Sequence, residues 1–412
     1  LQGLAAVVSA AALLVAPAVS AGAVTAPPRP TTAVPTLPVP SATVDPQLSV
    51  GGPRLASMGV VADVPVGVPA PPTLRDVAWV LADLDTGAVI AAKAPHARLL
   101  PASTLKTLTA LTLIPRIPPT ARVVATAADA NADGTRVGMV PGLPYTGANL
   151  FEALLMASGN DAAYALARAG GGREATLAQM NERAVYLGAH DTVAKDPSGL
   201  DAPGQTSSAY DLALIGRAAL QLKDFRTYVA TRQADFPGRA NAKTKQRATF
   251  KINNHNRLLY NYPGTIGVKN GYTEAAHHTF ISAVARGEKR YLLTEMYGLD
   301  SSWRPQAAMY DWAFRYGSRV TPVGQLVAPG TVTTPPAPAP SQASPGLPLA
   351  SGGPDGLAGR RAAAAAVPWS QVDQRISPWV GVAGLAAAML LVGSLAGRRR
   401  QVVRQRAQRR RH

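Results

Sequence analysis

Between two uncharged apolar runs at its ends, the chain alternates short blocks of strand and helix periodicity. "VAWVLADLDTGAVIAAK" puts two apolar runs around Asp85-Thr86-Gly87, which predicts a hairpin. Apolar residues then recur at helical spacing from Ser103 onward, and residues 150–222 read mainly as helices. "LFEALLMASGNDAAYALARA" is the clearest of these. Three β-type runs follow: "TIGVKNGYT", "TFISAVAR" and "RYLLTEMYG". "SSWRPQAAMYDWAFRYG" closes the block as an amphipathic helix, with Ser301 or Ser302 as its cap. Strands at both ends and helices between them predict an α/β domain over residues 76–328. Its sheet would be assembled from both ends of the segment.

The flanks have a different pattern. Residues 1–23 are apolar and end in small residues, as a secretory signal does. No Lys or Arg precedes that run and the first residue is Leu, so a trimmed start is expected. Residues 24–75 and 329–376 are rich in Pro, Ala, Val, Thr and Gly and read as linkers. Residues 377–397 carry no charge and, as a helix, would cover the roughly 30 Å of a bilayer core. Residues 398–412 hold eight arginines, about half of the net charge of +17. A basic chain first suggests nucleic acid, but an arginine cluster directly behind an apolar run predicts a cytoplasmic tail instead. Signal in front and span behind place the domain outside the cell membrane, on a stalk.

Composition narrows the chemistry. The absence of cysteine removes disulfides, thiolate metal sites and a cysteine nucleophile. The six histidines are scattered, with no His-x-His or His-Glu-x-x-His pattern, and no Gly-rich phosphate loop is present. His277 and His278 adjoin on a strand and would face opposite ways, so they make poor joint ligands. No metal and no cofactor is expected.

Ser103 and Lys106 lie three apart on one helical face, within reach of each other. A serine hydroxyl needs a base to become a nucleophile, and a lysine serves only when burial or a neighbouring positive charge lowers its pKa. The alternative is an N-cap serine followed by a surface lysine. Ser158-Gly159-Asn160 and Lys269-Asn270-Gly271 change that balance. S-x-x-K, S-x-N and K-x-G each occur once, in that order: at a helix start, in the helical middle and on a late strand.

Together with "WVLADLDTGAVIAAKAPHARLLPASTLKTLTAL", "ALLMASGNDAAYALA", "DPSGLDAPGQTSSAYDLALIGRAAL" and "NHNRLLYNYPGTIGVKNGYT", these motifs resemble the serine penicillin-recognising enzymes. More narrowly, they resemble the low-molecular-mass D-alanyl-D-alanine carboxypeptidases of actinobacterial type, over residues 77–317. The resemblance implies a β-lactamase/transpeptidase-like fold: an antiparallel sheet flanked by helices, with a mainly helical subdomain. It implies Ser103 as nucleophile, Lys106 as its base, and Ser158 and Asn160 lining the cleft. Lys269 would supply positive charge, and Asn270 and Thr273 would hold a carboxylate. The N–H groups of Ser103 and Tyr272 would form an oxyanion hole next to Gly271. The substrate would be the D-Ala-D-Ala end of peptidoglycan stem peptides, and β-lactams would be inhibitors. Asn270 stands where Thr or Ser is usual; its amide still donates to a carboxylate. Asp161 is expected to order its own segment, 196–201 to form a turn, and Arg136 and Arg257 to be solvated. Two alternatives remain. A β-lactamase of this fold would need a deacylating glutamate, for which Glu174 and Glu182 are the candidates. A non-catalytic wall-binding module is favoured by Asn270 alone.

Overall fold

The computed structural model describes residues 45–241, 243–244 and 246–332. The expected signal segment, membrane span and basic tail, residues 24–44 of the first linker and residues 333–376 of the second lie outside the described residues. No helix among the described residues is long and apolar enough to cross a membrane.

The chain opens with β1 (Val60–Ala62), β2 (Asp76–Asp83) and β3 (Ala88–Lys93). A 3-10 turn, Ala102–Leu105, runs directly into α1 (Lys106–Leu113). The helical lobe follows: β4 (Arg122–Val124), α2 (Ala127–Ala130), β5 (Pro144–Thr146), α3 (Gly147–Leu155), α4 (Asn160–Ala169), α5 (Arg173–Leu187), α6 (Ala209–Ala219) and α7 (Lys223–Ala230). The chain then returns through β6 (Gln233–Ala240), β7 (Arg247–Asn253), α8 (Arg257–Asn261), β8 (Thr265–Thr273), β9 (His277–Arg286) and β10 (Lys289–Gly298). It ends with α9 (Arg304–Tyr316) and β11 (Gly324–Gln325).

The main sheet is antiparallel in the order β1-β3-β2-β10-β9-β8, and β11 pairs with β3. The β2–β10 pairing, Tyr291 opposite Asp83 and Thr294 opposite Val80, joins the two sequence ends, as expected from the pattern. Asp83 fixes the β2–β3 hairpin because its carboxylate accepts from the N–H groups of Asp85 and Thr86 and from the Thr86 hydroxyl. Strand residues alternate between two cores. Trp79, Leu81, Tyr291 and Leu293 pack with Tyr310 and Trp312 of α9. Val80, Ala82 and Leu292 face the helical lobe with Leu105, Leu108 and Ile215. Both faces are covered, so these strands read as continuous apolar runs rather than alternating ones. Each large apolar side chain buried this way contributes roughly 1.5–3 kcal/mol.

The first linker ends earlier than the composition suggests. Residues 45–75 dock on the domain: β1 pairs with β3, Leu55 is fully buried, and Val68 and Leu74 join the α9-side core. Gln325 N–H donates to the Gly51 carbonyl at 2.8 Å. Pro- and Val-rich chain with only short internal turns can lie along a sheet edge as readily as in water, and buried Leu and Val decide for the edge. At the other end the chain stays attached past 328, with Gly330 N–H on the Tyr186 carbonyl and His190 on the Val332 carbonyl. The cap of α9 also differs. Trp303 is the N-cap, and the Ser302 hydroxyl instead accepts from Arg304 N–H at 3.2 Å.

Candidate active site

Ser103 lies inside the 3-10 turn, not at a cap; Pro101 precedes the turn and offers no side-chain bond. The alternative of an N-cap serine with a surface lysine is thereby set aside, and the Ser103 hydroxyl is left free for Lys106. The geometry at Lys106 is specific. Its Nζ is fully buried and lies 2.9 Å from Ser103 Oγ, 2.7 Å from Asn160 Oδ1 and 2.6 Å from the Ser198 carbonyl. Two of these partners only accept. A neutral amine has two N–H bonds for those two acceptors and one lone pair, which is left facing the serine O–H. Burial pushes the Lys106 ammonium well below the ordinary lysine range, and the charge of Lys269 pushes the same way. Lys269 is itself fully buried on β8, which lowers it to about 7, and its Nζ donates to the Asn270 carbonyl at 2.5 Å.

Each partner is held in place by its own local structure. Asn160 begins α4, and its Nδ2 donates to the Asp133 carbonyl at 2.6 Å, which turns Oδ1 toward Lys106. Asp161 accepts from the N–H groups of Val137, Gly138 and Met139, so it orders its segment as expected. Ser158 sits at the break between α3 and α4 with φ +59°, a region non-glycine residues rarely occupy. It is buried, yet among the described residues its hydroxyl reaches neither Ser103 nor Lys269.

β8 is an edge strand of the sheet, so one side of its backbone is unpaired. Gly271 lets it approach the serine: a Cβ there would lie 2.7 Å from the Ser103 amide nitrogen and 2.5 Å from Thr279 Oγ1. Thr279 in turn donates to the Pro101 carbonyl, pinning β9 against the same turn. Tyr272 is exposed and its ring lies 4.8 Å from that of His278. His277 faces elsewhere, onto Tyr297 at 4.3 Å, so the two histidines do not converge. Thr273 Oγ1 donates to Asp201 Oδ1 at 3.0 Å and accepts from Ala276 N–H.

The 196–201 segment is a turn, as read, but it does more than connect. Its Ser198 carbonyl completes the Lys106 site, a role that carries no side-chain signature. Gly199, at φ +78°, is the residue that permits it, because a Cβ there would run into the Ala102 carbonyl. Glu174 and Glu182 both lie exposed on α5. Glu182 faces a separate cavity with Arg116 and Arg183. A cavity of about 460 Å³ adjoins Asn270, Gly271, Tyr272, His278 and Trp303 but excludes Ser103, Lys106 and Lys269, so cavity size alone would not have found the chemistry. Arg136 and Arg257 are exposed, as expected.

Among the described residues one metal-compatible cluster occurs, His96 with Asp191 and Asp211, which the scattered histidine spacing does not reveal. Two of its members, His96 and Asp191, are already engaged; Asp211 Oδ2 accepts from the Thr192 hydroxyl at 2.7 Å, while its Oδ1 has no partner among the described residues. His96 Nδ1 pairs with Asp191 at 2.8 Å, its Nε2 meets the Val50 carbonyl at 3.0 Å, and Arg98 holds the other Asp191 oxygen. The cluster ties the N-terminal arm to the lobe.

Comparison with known proteins places the chain in a family. Residues 66–297 match the D-alanyl-D-alanine carboxypeptidase family, peptidase S11. The chain is 41% identical over 255 residues to D-alanyl-D-alanine carboxypeptidase DacB2 of Mycobacterium tuberculosis, covering 60% of this chain and 85% of that one. A crystal structure of a D-alanyl-D-alanine carboxypeptidase from M. tuberculosis H37Rv superposes with a TM-score of 0.60 at 39% identity, covering 64% of this chain and 99% of that one. The Streptomyces K15 DD-transpeptidase superposes with a TM-score of 0.55 at 27% identity, covering 61% and 100%. With its sheet, its helical lobe and its partly exposed serine beside a buried lysine, the chain belongs to the peptidase S11 family of D-alanyl-D-alanine carboxypeptidases.

Proposed function

We infer that this chain is a serine-type D-Ala-D-Ala carboxypeptidase acting on peptidoglycan stem peptides. The observation that carries this is the hydrogen-bond count at Lys106: two acceptors for its two N–H bonds, and the serine hydroxyl for its lone pair. Lys106 takes the Ser103 proton as Oγ attacks the peptide carbonyl. The developing oxyanion is stabilised by the N–H groups of Ser103 and Tyr272 where β8 meets the serine turn. The terminal D-alanine leaves with a proton, for which Ser158 is the relay, and water then hydrolyses the ester on Ser103. Lys269 keeps the lysine pair electropositive, and Asn270 holds the terminal carboxylate through its amide. The Thr273 hydroxyl is committed to Asp201, so it turns to the carboxylate only by exchanging that bond. β-Lactams acylate the same serine.

The sequence pattern supports an exported domain: a signal at 1–23, a span at 377–397 and a cytoplasmic tail at 398–412. A stalked head outside the membrane would reach a polymer lying some distance from it.

Intact-mass measurement of the full chain after exposure to a β-lactam, with D-alanine release from a pentapeptide ending in D-Ala-D-Ala, tests the reaction. A long-lived adduct and D-alanine release, both abolished by Ser103→Ala, are expected. Rapid β-lactam turnover without D-alanine release would make the protein a β-lactamase. Neither adduct nor release would leave a wall-binding module.

A further inference from the structure

We propose that Asp196 is a positioning residue for the base: it aims the Ser198 carbonyl at Lys106 and sets, with its own charge, how readily Lys106 gives up its proton. The proposal deepens the reaction inferred above and rests on it. Asp196 opens the turn that reaches the site. Its Oδ1 accepts from Ser198 N–H at 2.7 Å and from the Ser198 hydroxyl at 2.5 Å, while the carbonyl of the same Ser198 lies 2.6 Å from Lys106 Nζ. One residue is thus gripped from both sides, by the carboxylate behind it and the Lys106 amine in front. The Asp196 backbone is held as well, its N–H on Gln205 Oε1 at 3.0 Å.

The carboxylate is buried, and a surface loop does not require so many partners. Its second oxygen takes Tyr164 OH at 3.0 Å and Arg173 at 2.6 Å, and the Arg173 guanidinium lies 5.1 Å over the Tyr164 ring. Tyr164 comes from α4 and Arg173 from α5, so two helices of the lobe converge on one carboxylate behind the catalytic lysine. Three charged groups among the described residues act on Lys106. Lys269 on β8 opposes its proton; Asp196 from the turn and Asp161 from α4 favour it. Asp161 spends its oxygens on the backbone N–H groups of 137–139. Asp196 is the one whose charge is gated, because Arg173 reaches it from the half-exposed surface of α5.

The charge model makes two substitutions act in opposite directions. Asp196→Asn keeps the shape and the Ser198 bonds but removes the negative charge, so Lys106 loses its proton more easily. Arg173→Gln removes a positive charge from behind Asp196, so Lys106 holds its proton more tightly. The full chain and both variants are acylated with a chromogenic β-lactam across pH, and only the signal that Ser103→Ala abolishes is counted. The acid limb of the rate is expected to move to lower pH in Asp196→Asn and to higher pH in Arg173→Gln. Limbs that overlay the wild type, or that move the same way in both variants, overturn the proposal, because loosened packing scales a profile without splitting it. If Asp196→Asn does not fold, as judged by its thermal transition, Arg173→Gln decides alone. The Lys106 ammonium is also titrated directly by NMR on ε-¹³C-lysine-labelled chain, with Lys106→Met for assignment. The same opposite shifts are expected there even if no acylation is seen, a result that would defeat the proposed reaction but not the role of Asp196.

Discussion

Of the like-charged pairs buried among the described residues, two on the main sheet make a useful contrast, and only one of those two is placed to do chemistry. Lys106 and Lys269 meet where β8 passes the serine turn; Asp76 and Glu295 meet at the start of β2 and on β10. Both pairs obey the same physics. Burial disfavours the charged form, and the partner's like charge adds to the effect at Lys106 and at Glu295. Lysine values fall, with Lys269 at about 7, and carboxyl values rise, with Asp76 pushed up to about 7 by burial and Glu295 well above its ordinary range for the same first reason. A perturbed pKa alone would therefore nominate both pairs equally. What separates them is the third group. Lys106 has a partly exposed serine hydroxyl at 2.9 Å and carbonyl acceptors for its remaining bonds. Glu295 has Asp76 and Gln306 beside it, no nucleophile, and one carboxyl oxygen without a partner. Activation needs a perturbed base with its lone pair aimed at a reactive hydroxyl, and only the lysine pair has that.

The sharpest way to break the contrast is to remove the base while keeping its volume. Lys106→Met is expected to lower the acylation rate by about 10²–10⁴-fold, the usual worth of a positioned base. Two buried acceptors, Asn160 Oδ1 and the Ser198 carbonyl, lose a donor at about 1–3 kcal/mol each. A desolvated amine is lost at the same time, so the thermal transition should move far less than the rate. Stopped-flow acylation and a melting curve on the same sample check both. A variant that acylates within tenfold of wild type would return Ser103 and Lys106 to the status of a turn serine and its neighbour.

Lys269→Met probes the pair as a pair, with a smaller expected effect. Lys269 lowers Lys106, so its removal lets Lys106 hold its proton to higher pH. Lys106 must be neutral to accept the serine proton, so the acid limb of the acylation profile should move upward. The rate near neutrality should fall while the rate at alkaline pH partly recovers. An unmoved limb with a uniformly lower rate would mean that Lys269 serves substrate binding alone.

How much of this was readable in the chain follows from which atoms carry it. Ser103, Lys106, Asn160 and Lys269 are side chains of distinctive type at short spacing, so their motifs could be seen, and the hairpin at Asp85-Thr86-Gly87 announced itself by turn chemistry. The Ser198 carbonyl could not be seen, since every residue has one. Only Gly199 hinted at a close approach, and a glycine in a turn has many explanations. Asp196 was legible as a turn residue because bonding to the backbone two residues on is what aspartate does in turns; its distance from Lys106 depends on how α4 and α5 pack. Residues 45–75 were misjudged for a related reason: composition describes how a segment behaves alone, and the docking of Leu55 and β1 depends on an edge made elsewhere.

The carboxyl pair gives the smallest effect and the cleanest control. Asp76 rises from 3.8 to about 7, so the folded chain binds a proton that the unfolded chain has released. A group raised on folding contributes stability that is full below its unfolded value and lost as pH climbs through its folded value. Stability should therefore decline between about pH 4 and pH 7, steeply, because Glu295 contributes in the same sense. Glu295→Gln removes one of the two titrations and keeps a hydrogen-bonding amide in place. The decline should become shallower by about one proton's worth, while acylation by a β-lactam stays within about twofold, because neither carboxyl touches Ser103 or Lys106. Denaturant midpoints from pH 4 to 8, with the acylation rate at each pH, test both halves. An unchanged slope would mean the pair is ionised through a counter-charge such as Lys93, whereas a large loss of acylation would join the two pairs across the sheet into one electrostatic unit.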